Sequence, residues 1–178
     1  MIYKLAVGLL TLLALAAAAR AEAPAVGTLA PGFSLSDQSG APRRLAEWRG
    51  RWVVLYFYPR DDTPGCTTEA CSFRDDISLI AALGAQVVGI SVDDTASHKA
   101  FAEKHRLPFP LLSDATAEVA KQYGAISDWL VMKVAKRYTF IIDPAGRIAK
   151  IYLAVDPSRH SQEIVADLKL LQGRQSGK

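Results

Sequence analysis

Trp52-Val53-Val54-Leu55-Tyr56-Phe57-Tyr58 is an unbroken run of apolar and aromatic residues rich in β-formers, the pattern of a strand covered on both faces. Gln86 to Val92 is a second such run. Thr63 to Leu83 between them is long enough for a crossover helix, so the two strands are read as parallel neighbours in a βαβ unit. Upstream, Phe33 and Leu35 alternate with polar neighbours, Ser39 and Gly40 make a turn, and Arg43 to Leu45 return as a second short strand. Downstream, helices are expected from Ser97 to His105 and around Ala117 to Tyr123. Tyr138 to Ile142 and Ile148 to Leu153 flank the turn signal Asp143-Pro144-Ala145-Gly146 and form a hairpin. Ile164, Leu168 and Leu171 share one face of a closing helix from about Ser161 to Leu171.

A parallel βαβ unit followed by a β-hairpin and a terminal helix is the order of a thioredoxin-like α/β fold, with a central mixed sheet, flanking helices and an N-terminal β-hairpin. The chain of 178 residues is half hydrophobic, enough to bury one core and too apolar for a disordered chain. Its formal charge of +3 includes Lys4 and Arg20 from an acid-free start, and the remaining 19 positive and 18 negative residues nearly balance. That balance leaves no nucleic-acid footprint. No period of 20 to 50 residues recurs, which excludes solenoids. The layout read from the sequence is a leader over residues 1–21, a tether over 22–30, one domain over 31–172 and a polar tail over 173–178.

In the leader, Lys4 precedes an uncharged run from Leu5 to Ala19 in which Thr11 is the only hydrogen-bonding side chain. Such a run fits the h-region of a secretory signal. Ala19 and Ala21 form an A-x-A site, so cleavage is expected before Glu22. The uncharged stretch falls short of the roughly 20 residues needed to span a bilayer. A periplasmic address without stable membrane insertion follows as the expectation, with an uncleaved anchor facing the periplasm as the alternative.

The two cysteines, Cys66 and Cys71, stand in Pro59-Arg60-Asp61-Asp62-Thr63-Pro64-Gly65-Cys66-Thr67-Thr68-Glu69-Ala70-Cys71. In an exported protein a cysteine pair can be a structural disulfide. Three local facts favour a reactive site. The stretch follows the buried strand directly, at the carboxyl edge of a parallel sheet, where open α/β sheets place their ligands. Thr63 suits an N-cap and Pro64 the first helical position, which puts Cys66 in the first turn of a helix. Unpaired backbone N–H groups and the positive dipole end there favour a thiolate. A loop closed over five residues would also be a poor staple.

Tyr56-Phe57-Tyr58-Pro59 through Cys71-Ser72-Phe73-Arg74-Asp75 resembles a peroxiredoxin of the peroxiredoxin Q type, also called bacterioferritin comigratory protein. The family's P-x-x-x-T-x-x-C signature is present as Pro59, Thr63 and Cys66. Similarity continues through Gly89 to Asp93, Ser97 to Phe101, Leu107 to Asp114 and Thr139 to Pro144, covering the chain from Pro31 to about Leu171. The resemblance implies a cofactor-free, metal-free thiol peroxidase for hydrogen peroxide and organic hydroperoxides, acting in antioxidant defence. Cys66 would attack the peroxide and become a sulfenic acid, and Cys71, at the position of the resolving cysteine, would close an intramolecular disulfide with it. Thr63 and the backbone N–H of Cys66 would hold the peroxide oxygens, and Arg137 would supply a guanidinium to the thiolate. Tyr138 stands where the family more often has Ser or Thr. Pro59 would shield the sulfur, and Glu69 would orient the arginine. Thioredoxin or a thioredoxin-like periplasmic donor is the implied reductant, and a resolving cysteine in the same chain favours a monomer.

A thiol-disulfide oxidoreductase would need C-x-x-C, and this chain has C-x-x-x-x-C. A Cys-His hydrolase would need a histidine base, but His98 and His105 are expected on a surface helix and His160 at a helix start, all solvated. The cysteine pair, with no histidine within 20 residues, lacks zinc-ligand spacing. Asp61 and Asp62 are read as solvated loop charges. Trp129 to Met132 is read as a packed loop, with an apolar docking collar as the alternative.

Overall fold

The computed structural model describes residues 22–129 and 132–176. In chain order its elements begin with β1 (Ser34–Asp37), β2 (Pro42–Arg44), a 3-10 turn (Leu45–Trp48), β3 (Trp52–Phe57), α1 (Pro64–Asp75) and α2 (Ile77–Ala82). They continue with β4 (Ala85–Ser91), α3 (Thr95–His105), β5 (Leu111–Ser113) and α4 (Glu118–Gln122). The chain closes with β6 (Ile126–Trp129), β7 (Met132–Ala135), β8 (Tyr138–Ile142), β9 (Ile148–Tyr152) and α5 (His160–Ser176).

β3 lies inside a seven-stranded mixed sheet of order β2-β1-β5-β4-β3-β8-β9. Side chains of a strand alternate between the faces, and here both faces are covered. Trp52, Val54 and Tyr56 enter one core with Phe73 of α1, Ile80 of α2, Phe101 of α3 and Ile164 and Leu168 of α5. Val53, Leu55 and Phe57 enter the other, with Trp48, Tyr123 and Phe140. The double burial is why the strand reads as uninterrupted apolar sequence. β4 pairs with β3 in parallel as the crossover predicts, and β8 flanks β3 antiparallel. The thioredoxin-like mixed sheet with flanking helices and an N-terminal hairpin, β1 with β2, is therefore observed.

One close approach requires a glycine. Gly89 is the register partner of Tyr56, and a Cβ built at Gly89 would lie 2.8 Å from both the Tyr56 hydroxyl and a Leu111 methyl. The absent side chain leaves room for the Tyr56 ring, which packs against Phe73 of α1.

Four expectations need correction. Residues 22–30 are not a free tether: Gly27 N–H donates to Ile148 O at 2.7 Å, Ala30 N–H donates to Gly146 O at 2.9 Å, and Leu29 bridges Arg147. These are backbone bonds to the β8–β9 turn, for which side-chain periodicity carries no signal. The single crossover helix breaks at Asp76 into α1 and α2. The closing helix runs to Ser176, so residues 173–176 are helix rather than tail. The segment around Trp129 to Met132 is a hairpin of β6 with β7, Trp129 paired with Met132, and its residues 130–131 lie outside the described residues, as does the leader. Among the described residues, no helix is long and apolar enough to cross a membrane.

Candidate active site

β3 delivers the chain to the carboxyl edge of the sheet, and Tyr58 still holds sheet register by donating its N–H to Ile90 O. The following loop is pinned from below. Asp61 is buried, not solvated as its loop position suggests. It accepts from Tyr58 Oη at 2.8 Å and from Ser97 Oγ at 2.7 Å, and lies 2.8 Å from Nδ1 of the fully buried His98. Its own N–H donates to Asp93 Oδ2 at 2.9 Å. Asp62 then takes a left-handed conformation, φ 55°, which Asp tolerates better than most residues. These two residues turn the chain so that Pro64 can start α1.

Thr63 is the residue before the helix, as expected, but its hydroxyl donates back to Arg60 O at 3.0 Å rather than capping. That orientation leaves the oxygen lone pairs for an incoming donor. The Thr63 carbonyl accepts from Thr67 N–H, so the N–H groups of Gly65 and Cys66 precede the first intrahelical bond. Cys66 is 1% exposed. Arg137, in the short link between β7 and β8, donates from Nη2 to Cys66 Sγ at 3.3 Å and from Nη1 to Glu69 Oε2. A Cβ on Gly65 would come within 3.2 Å of that Nη2, so glycine there admits the guanidinium. Pro59 and Arg137 line an open cleft of about 520 Å³ together with Ser127, Tyr138 and Leu153–Val155.

Glu69 sits behind the arginine, fully buried, with Oε1 unpaired among the described residues. Burial drives its carboxyl up to about 7 against the opposing pull of Arg137. Burial also pulls on the Arg137 guanidinium, but Glu69 and Cys66 outweigh it and hold its pKa above the ordinary value. Fully buried His160 packs edge-on against Phe73 and Tyr152, with Nε2 2.9 Å from Thr139 Oγ1. Burial and then the charge of Arg137 push its pKa down to about 4, so the ring is neutral at pH 7.

The structure thus brings Pro59, Thr63, Cys66, Glu69 and Arg137 together. Both sulfurs are free thiols on the same helix, with Cys71 one and a half turns beyond Cys66. The histidines depart from expectation: His98 and His160 are buried and His105 is half-buried against Cys71. Helical spacing held the missed signal. His98, Phe101, Ala102 and His105 form an i, i+3, i+4, i+7 stripe, and His160 precedes Ile164 and Leu168 on one face.

This arrangement has close relatives. Residues 26–151 match the AhpC/TSA family. The chain is 47% identical over 147 residues to a chloroplastic peroxiredoxin Q of Triticum aestivum, covering 82% of this chain and 66% of that protein's length. Among solved structures, a peroxidoxin BcpB from Mycobacterium tuberculosis is 39% identical with a TM-score of 0.77, covering 82% of this chain and 96% of that one. A Xanthomonas campestris bacterioferritin comigratory protein, studied for alkyl peroxide reduction, is 31% identical with a TM-score of 0.74, covering 78% and 90%.

Proposed function

The chain belongs to the AhpC/TSA family, and from that premise we propose that it is a thiol peroxidase of the peroxiredoxin Q type. The observation that carries the reading is the Arg137 guanidinium 3.3 Å from a buried Cys66 sulfur, with Glu69 locked behind it. A buried thiolate is costly without a paired cation, and here the cation also faces the charge that develops on the peroxide. The thiolate attacks one peroxide oxygen, the O–O bond breaks, and the other oxygen leaves as water or an alcohol while Cys66 becomes a sulfenic acid. Thr63 Oγ1 accepts a hydrogen bond from the peroxide O–H, and the Cys66 N–H donates to a peroxide oxygen. Cys71 then attacks the Cys66 sulfur, releasing water and closing the disulfide. The open, largely apolar cleft beside Pro59 accommodates an organic hydroperoxide as well as hydrogen peroxide.

A thioredoxin-type dithiol regenerates the enzyme. The run Leu5 to Ala19 with Ala19 and Ala21 before Glu22 supports export and a periplasmic donor, and resolution within one chain supports a monomer. Intact-mass measurement of the expressed protein tests the leader: a product beginning near Glu22 is expected, and Met1 retained on a membrane-bound product would overturn it. For the chemistry, the reduced protein is titrated with hydrogen peroxide. One equivalent should be consumed with loss of two thiols, Cys66→Ser should consume none, and Cys71→Ser should stop at a sulfenic acid. Peroxide consumption by Cys66→Ser equal to wild type would sink the reading.

A further inference from the structure

Cys71 lies in a second constellation, built from three elements. Its sulfur is 3.9 Å from Nδ1 of His105 at the end of α3, and Nε2 of the same ring is 3.0 Å from Asp62 Oδ1 in the loop before α1. A carboxylate only accepts hydrogen bonds. A ring hydrogen therefore sits on Nε2, and in the neutral ring Nδ1 presents its lone pair to the thiol. The ring is held edge-on by Phe101, centroids 5.1 Å apart, and Arg74 of α1 donates to the His105 carbonyl at 2.8 Å while also interacting with the Cys71 sulfur. Asp62 is fixed by its left-handed backbone and by Lys104 Nζ at 2.9 Å. Lys104 and then His105 hold its carboxyl below the ordinary range, so it is ionised and accepting at neutral pH.

We propose that His105 is the general base that deprotonates Cys71 for the resolution step, with Asp62 as the positioning residue that sets its tautomer. The proposal rests on the thiol peroxidase reading. The Cys71 S–H proton passes to His105 Nδ1 and leaves a thiolate beside Arg74. When the first turns of α1 open, that thiolate attacks the sulfur of the Cys66 sulfenic acid. The S–S bond forms, the S–O bond breaks, and the expelled hydroxide takes up a proton to leave as water, restoring neutral His105. Thiol plus sulfenic acid become disulfide plus water, with no external oxidant or reductant. The relay leaves the first oxidation untouched, because its groups contact neither Cys66 nor Arg137 within the described hydrogen bonds.

The gain is bounded by thiol chemistry. An unassisted thiol is only a few per cent ionised at pH 7, so a base that ionises it fully raises the resolution rate by up to about 30-fold. The test uses the mature chain, reduced, mixed with hydrogen peroxide, quenched at intervals and analysed by mass spectrometry for sulfenic acid and disulfide. In His105→Gln the sulfenic acid should form at the wild-type rate while the disulfide appears roughly ten- to thirty-fold more slowly at pH 7. The defect should shrink towards about pH 9.5, where thiols ionise unaided, and added imidazole should restore part of the rate at pH 7. The groups facing His105 are Cys71 and Arg74 from α1, Asp62 from the loop and Lys104 from α3 itself. Asp62→Asn, which removes the negative charge facing the ring without altering α3, should show the same pH-dependent defect in smaller measure. Disulfide formation at the wild-type rate in His105→Gln, or a defect of equal size at every pH, would overturn the proposal. If the wild-type chain forms no sulfenic acid at all, the peroxidase reading itself fails, and the base assignment falls with it.

Discussion

Replacing Glu69 by Gln and, separately, His160 by Gln should tilt the stability of this fold in opposite directions with pH. Both groups are fully buried and feel the charge of Arg137. Burial raises Glu69 from 4.5 to about 7 and lowers His160 from 6.5 to about 4. Between pH 4.5 and 7 the folded state holds the Glu69 proton more tightly than the unfolded chain, so its contribution is full below about 4.5 and is lost as pH rises through 7. His160 does the reverse: the unfolded chain binds the proton more tightly, so stability is full above 6.5 and is lost as pH falls through 4. Each displacement of about 2.5 pH units corresponds to about 3 kcal/mol, and in the wild-type chain the two slopes largely offset each other. His160→Gln should therefore lose about 3 kcal/mol between pH 4.5 and 7, and Glu69→Gln should gain about as much between pH 4 and 6.5. With a urea slope of roughly 2 kcal/mol per molar, each change moves the unfolding midpoint by about 1.5 M. Other carboxylates, such as Asp37 and Asp62, are common to both variants and drop out of the difference. Urea titrations followed by tryptophan fluorescence at intervals from pH 4 to 8 give the two slopes. Equal slopes in the two variants would refute the assignment of opposite burial effects to these two residues.

Arg137→Met should slow oxidation of Cys66 by about two orders of magnitude, the usual cost of one donor aimed at developing charge; rapid-mixing measurement of peroxide consumption checks it, and an unchanged rate would remove the arginine from the chemistry. Gly89→Ala should destabilise the fold by about 1–3 kcal/mol through overpacking, and adding Tyr56→Phe should recover part of the loss, since the tyrosine hydroxyl is one of the atoms the new methyl meets. Urea midpoints of the two single variants and the double variant decide this, strict additivity being the contrary outcome. In the disulfide form, amides of α1 should exchange far faster than in the dithiol form while β3 and β4 stay protected; hydrogen-exchange mass spectrometry reads this directly, and equal protection of α1 in both forms would show that the cysteines pair without opening the helix.

The strands were legible because burial on both faces leaves β3 no polar position to interrupt it, and the hairpin of β8 and β9 because Asp143-Pro144-Ala145-Gly146 demands a turn. The position of Cys66 in a first helical turn followed from Thr63 and Pro64. Arg137 was another matter. Nothing in the residues around it says that its guanidinium points at a sulfur 71 residues earlier, so resemblance alone identified it. A loop aspartate is usually solvated; only the convergence of Tyr58, just after β3, with Ser97 and His98 of α3 makes a buried carboxylate tenable there. The docking of residues 27–30 was invisible for a different reason, since it is made by backbone groups that every residue carries.

Placement of both cysteines on α1 links the site's chemistry to its stability. On a helix, residues five apart are separated by about 7.5 Å of rise and about 140° of rotation, which sets their Cα atoms roughly 8 to 9 Å apart. A disulfide tolerates about 7 Å at most, so pairing Cys66 with Cys71 requires the start of α1 to open. Glu69 lies between them and is carried out with the segment. Its carboxyl, held near 7 by burial in the closed helix, returns to its ordinary range once hydrated. The closed helix therefore binds the Glu69 proton more tightly than the open one, and opening becomes easier by up to about 3 kcal/mol as pH rises from 4.5 to 7. In the proposed reaction, the carboxylate that pairs with Arg137 for the first step would thereby weaken the helix that must open for the second. Replacing it with an apolar residue would strengthen the packing of α1, but would remove both the anchor of the guanidinium and the bias toward opening.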